Sequence, residues 1–289
     1  MASHFPDPSS FPSMPLSYMI ILFILLNVIS SVHTFDYFSS CANQFSCGDL
    51  RNVGFPFWGD GRPEGCGYPD LYLKCTGNLT YITIKNISYL VKEVHPEKNT
   101  LKIARAEYSK GLCPSQFLNT NTDVIDHNLF DYLSGYQNLT LFYGCNVGFP
   151  WKILGLFDCP VNGVADTHAY PLLGAWVPIG GFCKYSVVVP VPSTFTVADL
   201  ANLQAIGEAV KDGFEVKWTV GAKECNECLQ SGGVCGYVYD LNKPTCYCKG
   251  SDSGSRVCDA DAKAPQGYPR NIPRSHCPFY FLEEPWSLQ

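Results

Sequence analysis

Short runs of apolar and β-branched residues, broken at regular intervals, dominate the chain between residues 71 and 105. Leu71–Lys74, Leu79–Ile84, Ser88–Val94 and Thr100–Arg105 are rich in Ile, Val, Leu, Tyr and Thr. Gly77, Asn86 and the Pro96–Asn99 stretch interrupt them as hairpin connections do. Tyr81–Lys85 and Leu101–Ile103 alternate apolar with polar, so each strand offers one buried and one wet face. Leu139–Tyr143 and Tyr185–Val191 read as further strands. A single helix is expected from Thr196, where Thr196-Val-Ala-Asp199 resembles a capping box. Leu200, Leu203, Ile206 and Val210 give it one apolar stripe, and Gly213 is placed to end it. Phe214–Trp218 then alternates as a strand. The pattern predicts a mainly β fold in two small units, the second with one α-helix.

The apolar run Met19–Ser30 has the length of a signal-peptide core and is short for a membrane span. Cleavage is expected around Ser30–Phe35, although Met1–Tyr18 lacks the usual Lys or Arg. No other segment reaches the roughly 18 apolar residues of a spanning helix, so the mature chain is expected to be secreted, without a spanning segment. Asn78-Leu-Thr80, Asn86-Ile-Ser88 and Asn138-Leu-Thr140 are glycosylation sequons, expected to lie on the surface.

Composition sharpens this. The 289 residues include 15 Cys, 25 Gly and 21 Pro, and only 16% are charged, well under the roughly 25% of a typical soluble domain. Cysteine at this density in a secreted chain forms disulfides, which argues against reading Cys225-x2-Cys228 and Cys246-x-Cys248 as metal or redox sites. The net charge of −6 excludes a usual nucleic-acid binder. The cysteines cluster at Cys41–Cys75 and Cys225–Cys258, and the close spacing of the second cluster suggests pairing within it.

Catalytic signatures are missing: there is no G-x-S-x-G, H-E-x-x-H, phosphate-binding loop or dinucleotide fingerprint. His95, His127, His168 and His276 have no spaced partner. The chain is therefore not expected to be an enzyme, and no cofactor or metal is expected. Two features suit a ligand. Lys92, Lys98, Lys102 and Arg105 form a basic stripe with Lys110, for which a solvated hairpin face is the plain alternative. Asn52-Val-Gly-Phe-Pro-Phe-Trp58 concentrates Phe55, Phe57 and Trp58, which suit either sugar stacking or a small core.

These residues carry a resemblance. Cys41…Cys47-Gly48…Asn52–Trp58…Arg62-Pro63…Cys66-Gly67…Leu73-Lys-Cys75 resembles the galacturonan-binding domain of plant wall-associated receptor kinases. Cys183…Val187–Val191…Gly213–Trp218…Cys225-x2-Cys228-x2-Ser231-Gly-Gly-Val-Cys235-Gly-Tyr237…Cys246-Tyr-Cys248 resembles their C-terminal associated domain. With Asn138–Cys145 between them, the combination is most similar to the leaf rust 10 disease-resistance locus receptor-like kinases. The resemblance implies a cell-surface or cell-wall ectodomain of plants that binds pectic polysaccharide or oligogalacturonide without catalysis. Lys92, Lys98, Lys102 and Arg105 are then expected to pair with uronates, with Phe57 and Trp58 as aromatic contacts. A peptide- or co-receptor-binding ectodomain in defence signalling is the alternative, and a secreted glycoside hydrolase a third.

The expected division is a signal peptide at 1–34, a galacturonan-binding-like domain at 35–112, a connecting β region at 113–144, an associated C-terminal domain at 145–258 and an atypical tail at 259–289. The 31 residues after Cys258 contain no spanning run and no kinase signature, so a truncated product or splice form is expected. Cys41, Cys47, Cys66, Cys75, Cys113, Cys145, Cys159, Cys183, Cys225, Cys228, Cys235, Cys246, Cys248 and Cys258 make an even set. Seven intrachain disulfides are therefore expected, leaving Cys277 unpaired.

Overall fold

A computed structural model describes residues 35–115, 124–145, 154–161, 167–174, 182–251 and 254–258. The expected signal peptide, the tail and Cys277 lie outside the described residues. The described residues open with α1 (Tyr37–Ala42), whose first turn is capped by the Asp36 carboxylate accepting from the Ser39 amide at 3.1 Å. β1 (Phe45–Cys47) and β2 (Leu50–Val53) form a two-stranded ribbon. β3 (Trp58–Gly59), β4 (Tyr72–Thr76), β5 (Leu79–Ile84), β6 (Ile87–His95) and β7 (Thr100–Arg105) come next, as neighbours in one sheet.

The apolar runs become strands because two-residue turns reverse the chain between them. Gly77-Asn78 joins β4 to β5, and Lys85-Asn86 joins β5 to β6. All four turn residues have φ between +47° and +64°, the pairing that matches the twist of adjoining strands. β8 (Phe130–Tyr132) completes the sheet through β13 (Phe214–Trp218), giving the order β3-β4-β5-β6-β7-β13-β8. Thus a strand from late in the chain pairs with β7 on one side and β8 on the other.

β9 (Tyr136–Cys145), β10 (Phe157–Asp158), β11 (His168–Leu173) and β12 (Tyr185–Pro192) form a second, antiparallel sheet in the order β10-β11-β9-β12. β12 serves two cores by its period of two. Val188 joins a cluster with Phe45, Phe57, Ile82, Tyr89, Ile103 and Trp218. Val187, Val189 and Val191 face Leu139, Leu141 and Tyr143, with Ile206 and Val210 packed against them.

Those last two residues lie on α2 (Leu203–Asp212), and here the sequence expectation needs correction. Thr196 and Asp199 do make the capping box, but it opens a 3-10 turn over Val197–Ala201 rather than the α-helix itself. Asn202 then adopts extended backbone and caps the α-helix afresh, its side chain accepting from the amides of Gln204 and Ala205. Gly213 ends the helix at φ +81°. The single helix expected in this half becomes two: α3 (Ala222–Gln230) carries Cys225 and Cys228 three residues apart on one face. β14 (Val234–Val238) and β15 (Lys243–Tyr247) form a closing hairpin.

Six disulfides hold the described residues. Cys41–Cys66 and Cys47–Cys75 staple the first cluster, and Cys145–Cys183 ties β9 to the segment before β12. Cys225–Cys235, Cys228–Cys246 and Cys248–Cys258 pair wholly within the last cluster, as its spacing suggests. The expected seventh bond is not formed: Cys113 and Cys159 are thiols. They are neighbours, but the Cys113 thiol donates to the Asp158 carbonyl at 3.6 Å, and burial together with Cys113 pushes the Cys159 thiol upward.

Candidate ligand-binding cleft

The outer face of β4, β5 and β6 is open to solvent. Buried Leu73 and Ile82 point inward, while Tyr72, Lys74 and Thr76 on β4 and Tyr81 and Thr83 on β5 line an open cleft of about 820 Å³. Lys74 lies directly opposite Tyr81, and Thr83 opposite Ser88 of β6. The Lys85-Asn86 turn closes one end, and Asp70, Asp126 and Leu129 complete the walls.

Trp58 supports this surface from the sheet edge. Its indole N–H donates to the Tyr68 carbonyl at 2.7 Å, which fixes the ring, and its centroid lies 4.7 Å from that of Tyr72. Tyr72 is 38% exposed, and its phenol is held above the usual tyrosine range by partial burial and by the neighbouring Asp60 carboxylate. Two tyrosines, Lys74 and several hydroxyls therefore share the floor, with Lys85 on the turn at one end and the Asp70 and Asp126 carboxylates in the lining as well. Such a surface can stack on sugar rings while offering donors to hydroxyls and carboxylates.

The residues expected from sequence to bind uronates are placed otherwise. Lys92 is exposed as the extra residue of a bulge in β6, and Lys98 is exposed in the β6–β7 turn. Lys102 pairs with Asp212 of α2 at 2.6 Å, which raises its ammonium pKa. Arg105 is 1% exposed; its Nε donates to the Glu107 carboxylate at 2.7 Å and its Nη1 to the Val188 carbonyl at 3.4 Å. Phe57 is buried with its ring 5.1 Å from Trp218, edge to face. Of these six residues, Trp58 adjoins the cleft; the four cations do not assemble on one surface.

Sequence reasoning passed over Lys74, Tyr81 and Lys85 as site residues. Their signal was the same alternation that marked the strands, since the wet face of an amphipathic hairpin is the available face. Arg62 was also passed over as more than a motif residue. It is 2% exposed and donates only to backbone carbonyls: Phe57 at 3.0 Å, Asn43 at 2.7 Å, Cys66 at 2.9 Å, and Cys41. Burial pushes its guanidinium pKa down to about 10.

The disulfide cluster gives no metal site. The sulfurs of Cys246, Cys248 and Cys258 lie within 4.8 Å of one another, yet all three are in disulfides. Among the described residues, no helix is long and apolar enough to cross a membrane.

The described residues thus form a disulfide-rich, mainly β fold with its half-cystines in stapled clusters. Residues 41–105 match the wall-associated receptor kinase galacturonan-binding family, and residues 168–251 match the wall-associated receptor kinase C-terminal family. The chain is 33% identical over 254 residues to the leaf rust 10 disease-resistance locus receptor-like protein kinase-like 1.3 of Arabidopsis thaliana, an alignment covering 85% of this chain and 34% of that protein. It is also 33% identical over 224 residues to the like 2.4 protein of the same plant, covering 76% and 34% respectively. The like 2.2 protein is 30% identical over 262 residues, covering 85% and 39%. The chain thus belongs to the ectodomain family of wall-associated and leaf rust 10 receptor-like kinases, and it spans about a third of the length of these relatives. No solved structure matches it.

Proposed function

We propose that this ectodomain recognises galacturonan-type pectic polysaccharide through the β4–β6 cleft, outside the cell. One observation carries the reading: an open cleft floored by Tyr72 and Tyr81, with Lys74 and Lys85 beside them, lies almost entirely within the galacturonan-binding match. Each lysine–uronate contact on so open a surface contributes about 0–1 kcal/mol. Affinity therefore comes from several contacts at once, with aromatic stacking setting the register. Isothermal titration of the secreted chain with oligogalacturonides at low salt tests this. Binding that weakens in Tyr72→Ala and with added salt supports the reading. Silence from both the glycosylated and the enzymatically deglycosylated chain would refute it.

A second reading, recognition of a peptide or co-receptor, has its own observation. Tyr37, Tyr237, Tyr239 and Tyr247 line a separate cleft of about 470 Å³ with Glu64 and Asp240. A basic peptide suits that lining, and a cationic peptide array with Glu64→Gln/Asp240→Asn as control tests it.

A further inference from the structure

The Asn86-Ile-Ser88 sequon is built into the wall of the β4–β6 cleft. Asn86 and Ser88 both line it, one from the turn and one from the floor. Asn86 is exposed at the tip of a two-residue hairpin, at φ +64°. Among the described residues its side chain makes no hydrogen bond. The other two sequons are placed differently. Asn78 is also exposed on a hairpin tip, but at the opposite end of β5 and outside the cleft lining. Asn138 is half-buried within β9, paired with Pro190 of β12, and its carbonyl accepts from Gly174.

We propose that Asn86 is an N-glycosylation site whose glycan covers the cleft, so that glycan occupancy and trimming control access to it. In the attachment step the Asn86 Nδ2 bonds to the anomeric carbon of a lipid-pyrophosphate-linked oligosaccharide. Nδ2 loses one proton, and the lipid pyrophosphate departs with the electron pair of the broken bond. The product is a branched, hydrophilic chain rooted at the cleft rim. Because a type I′ turn is short and rigid, the root of the glycan cannot swing away by bending the hairpin. The glycan is therefore rooted on the rim that Lys85, Thr83 and Tyr72 also line. A glycan on Asn78 has no such position, which makes that site the internal control. The covering is argued from the place of Asn86 and Ser88 in the cleft lining; its role as a control of polysaccharide binding rests on the function proposed above.

The test uses the full chain secreted from plant cells, with Asn86→Gly and Ser88→Ala as variants. Glycine suits the positive φ, and Ser88→Ala leaves the turn untouched, so either variant serves if the other fails to secrete. Glycopeptide mass spectrometry reads occupancy at Asn86. Labelling of Lys74 by a water-soluble amine-reactive ester, quantified on its peptide, reads access to the cleft. The expected result is occupied Asn86 in the parent chain and several-fold faster Lys74 labelling in both variants, with no change in Asn78→Gly. An unmodified Asn86, or equal Lys74 labelling with and without its glycan, would overturn the proposal. Oligogalacturonide titration of the same proteins separates the two claims. Binding confined to the variants supports control of the cleft, and equal binding by all forms overturns that control. If no form binds while Lys74 labelling still differs, the covering stands and the polysaccharide reading fails.

Discussion

The guanidinium of Arg62 donates to the carbonyl of Cys66 at 2.9 Å and also reaches the carbonyl of Cys41. Those two cysteines are bonded to each other, so one buried cation and one disulfide tie together the same two stretches of chain. The Phe57 and Asn43 carbonyls complete the arrangement. No carboxylate is among these partners. Backbone dipoles alone hold the charge, which demands a planar, multi-donor head that lysine lacks.

Arg62→Lys is therefore expected to destabilise the protein by about 1.5–3 kcal/mol or more, since the three donors of an ammonium cannot serve all four carbonyls and at least one is left stranded. Denaturant unfolding of the secreted variant measures the loss. A change under 1 kcal/mol would show that the carbonyls find other donors.

Arg105 sets a parallel test with the opposite partner chemistry. Its guanidinium is buried and paired with Glu107 while touching the Val188 carbonyl of the other sheet. Arg105→Met leaves the Glu107 carboxylate without its partner and should cost about 3–5 kcal/mol. Arg105→Met/Glu107→Leu should recover much of that loss. A double variant no more stable than the single one would remove Glu107 from the account.

Charge placement makes a binding prediction. Lys74→Gln/Lys85→Gln should weaken oligogalacturonide binding by about 1–2 kcal/mol, a factor of about 5–30. Salt sensitivity should fall with it. Lys102→Gln, whose ammonium is committed to Asp212, should leave affinity unchanged. Titration at two salt concentrations distinguishes the sets, and an equal effect of Lys102→Gln would move the site toward β7.

Gly233 lies against three half-cystines. A Cβ added there would meet the sulfur of Cys246, that of Cys258 at 2.7 Å and that of Cys228 at 2.9 Å. Gly233→Ala should thus lower secretion yield and scramble Cys228–Cys246 and Cys248–Cys258. Peptide mapping reads the connectivity, and native pairing at normal yield would show that the hairpin can shift away.

Asp199 carries a pH dependence. Its carboxylate accepts from the Thr196 amide at 2.7 Å and from the Thr196 hydroxyl at 2.8 Å, and these hydrogen bonds hold its pKa below the ordinary 3.8. A carboxyl depressed in the folded state stabilises above its unfolded pKa and loses that contribution as pH falls through its folded value. Asp199→Asn should flatten this acid dependence, seen as a smaller drop in melting temperature on going below pH 4. Identical profiles for parent and variant would contradict it.

Much of this architecture was legible because period-two alternation is a local property. Leu79–Ile84, Thr100–Arg105 and Phe214–Trp218 became strands over the same spans. The last cysteine cluster closed on itself because its loops are short. What stayed hidden depends on distant neighbours. Nothing near Arg105 in sequence announces the Val188 carbonyl, and Arg62 is satisfied by carbonyls that every residue possesses. The cationic stripe looked exposed because strand charges usually are; α2, through Asp212 at a separation of 110 residues, and the second sheet, through Val188 at a separation of 83, claimed half of it. Phe57 went inward for the same reason, meeting Trp218 across the fold.

That late arrival of β13 has a consequence for synthesis. Until about residue 218 has left the ribosome, β7 presents an unpaired edge along Thr100–Ile103, the stretch that Phe214–Lys217 will later occupy. Such an edge invites pairing with other chains. The nascent protein must therefore be shielded through more than a hundred further residues of translation. Fragments ending near residue 112 are expected to precipitate, whereas those that include β13 remain in solution.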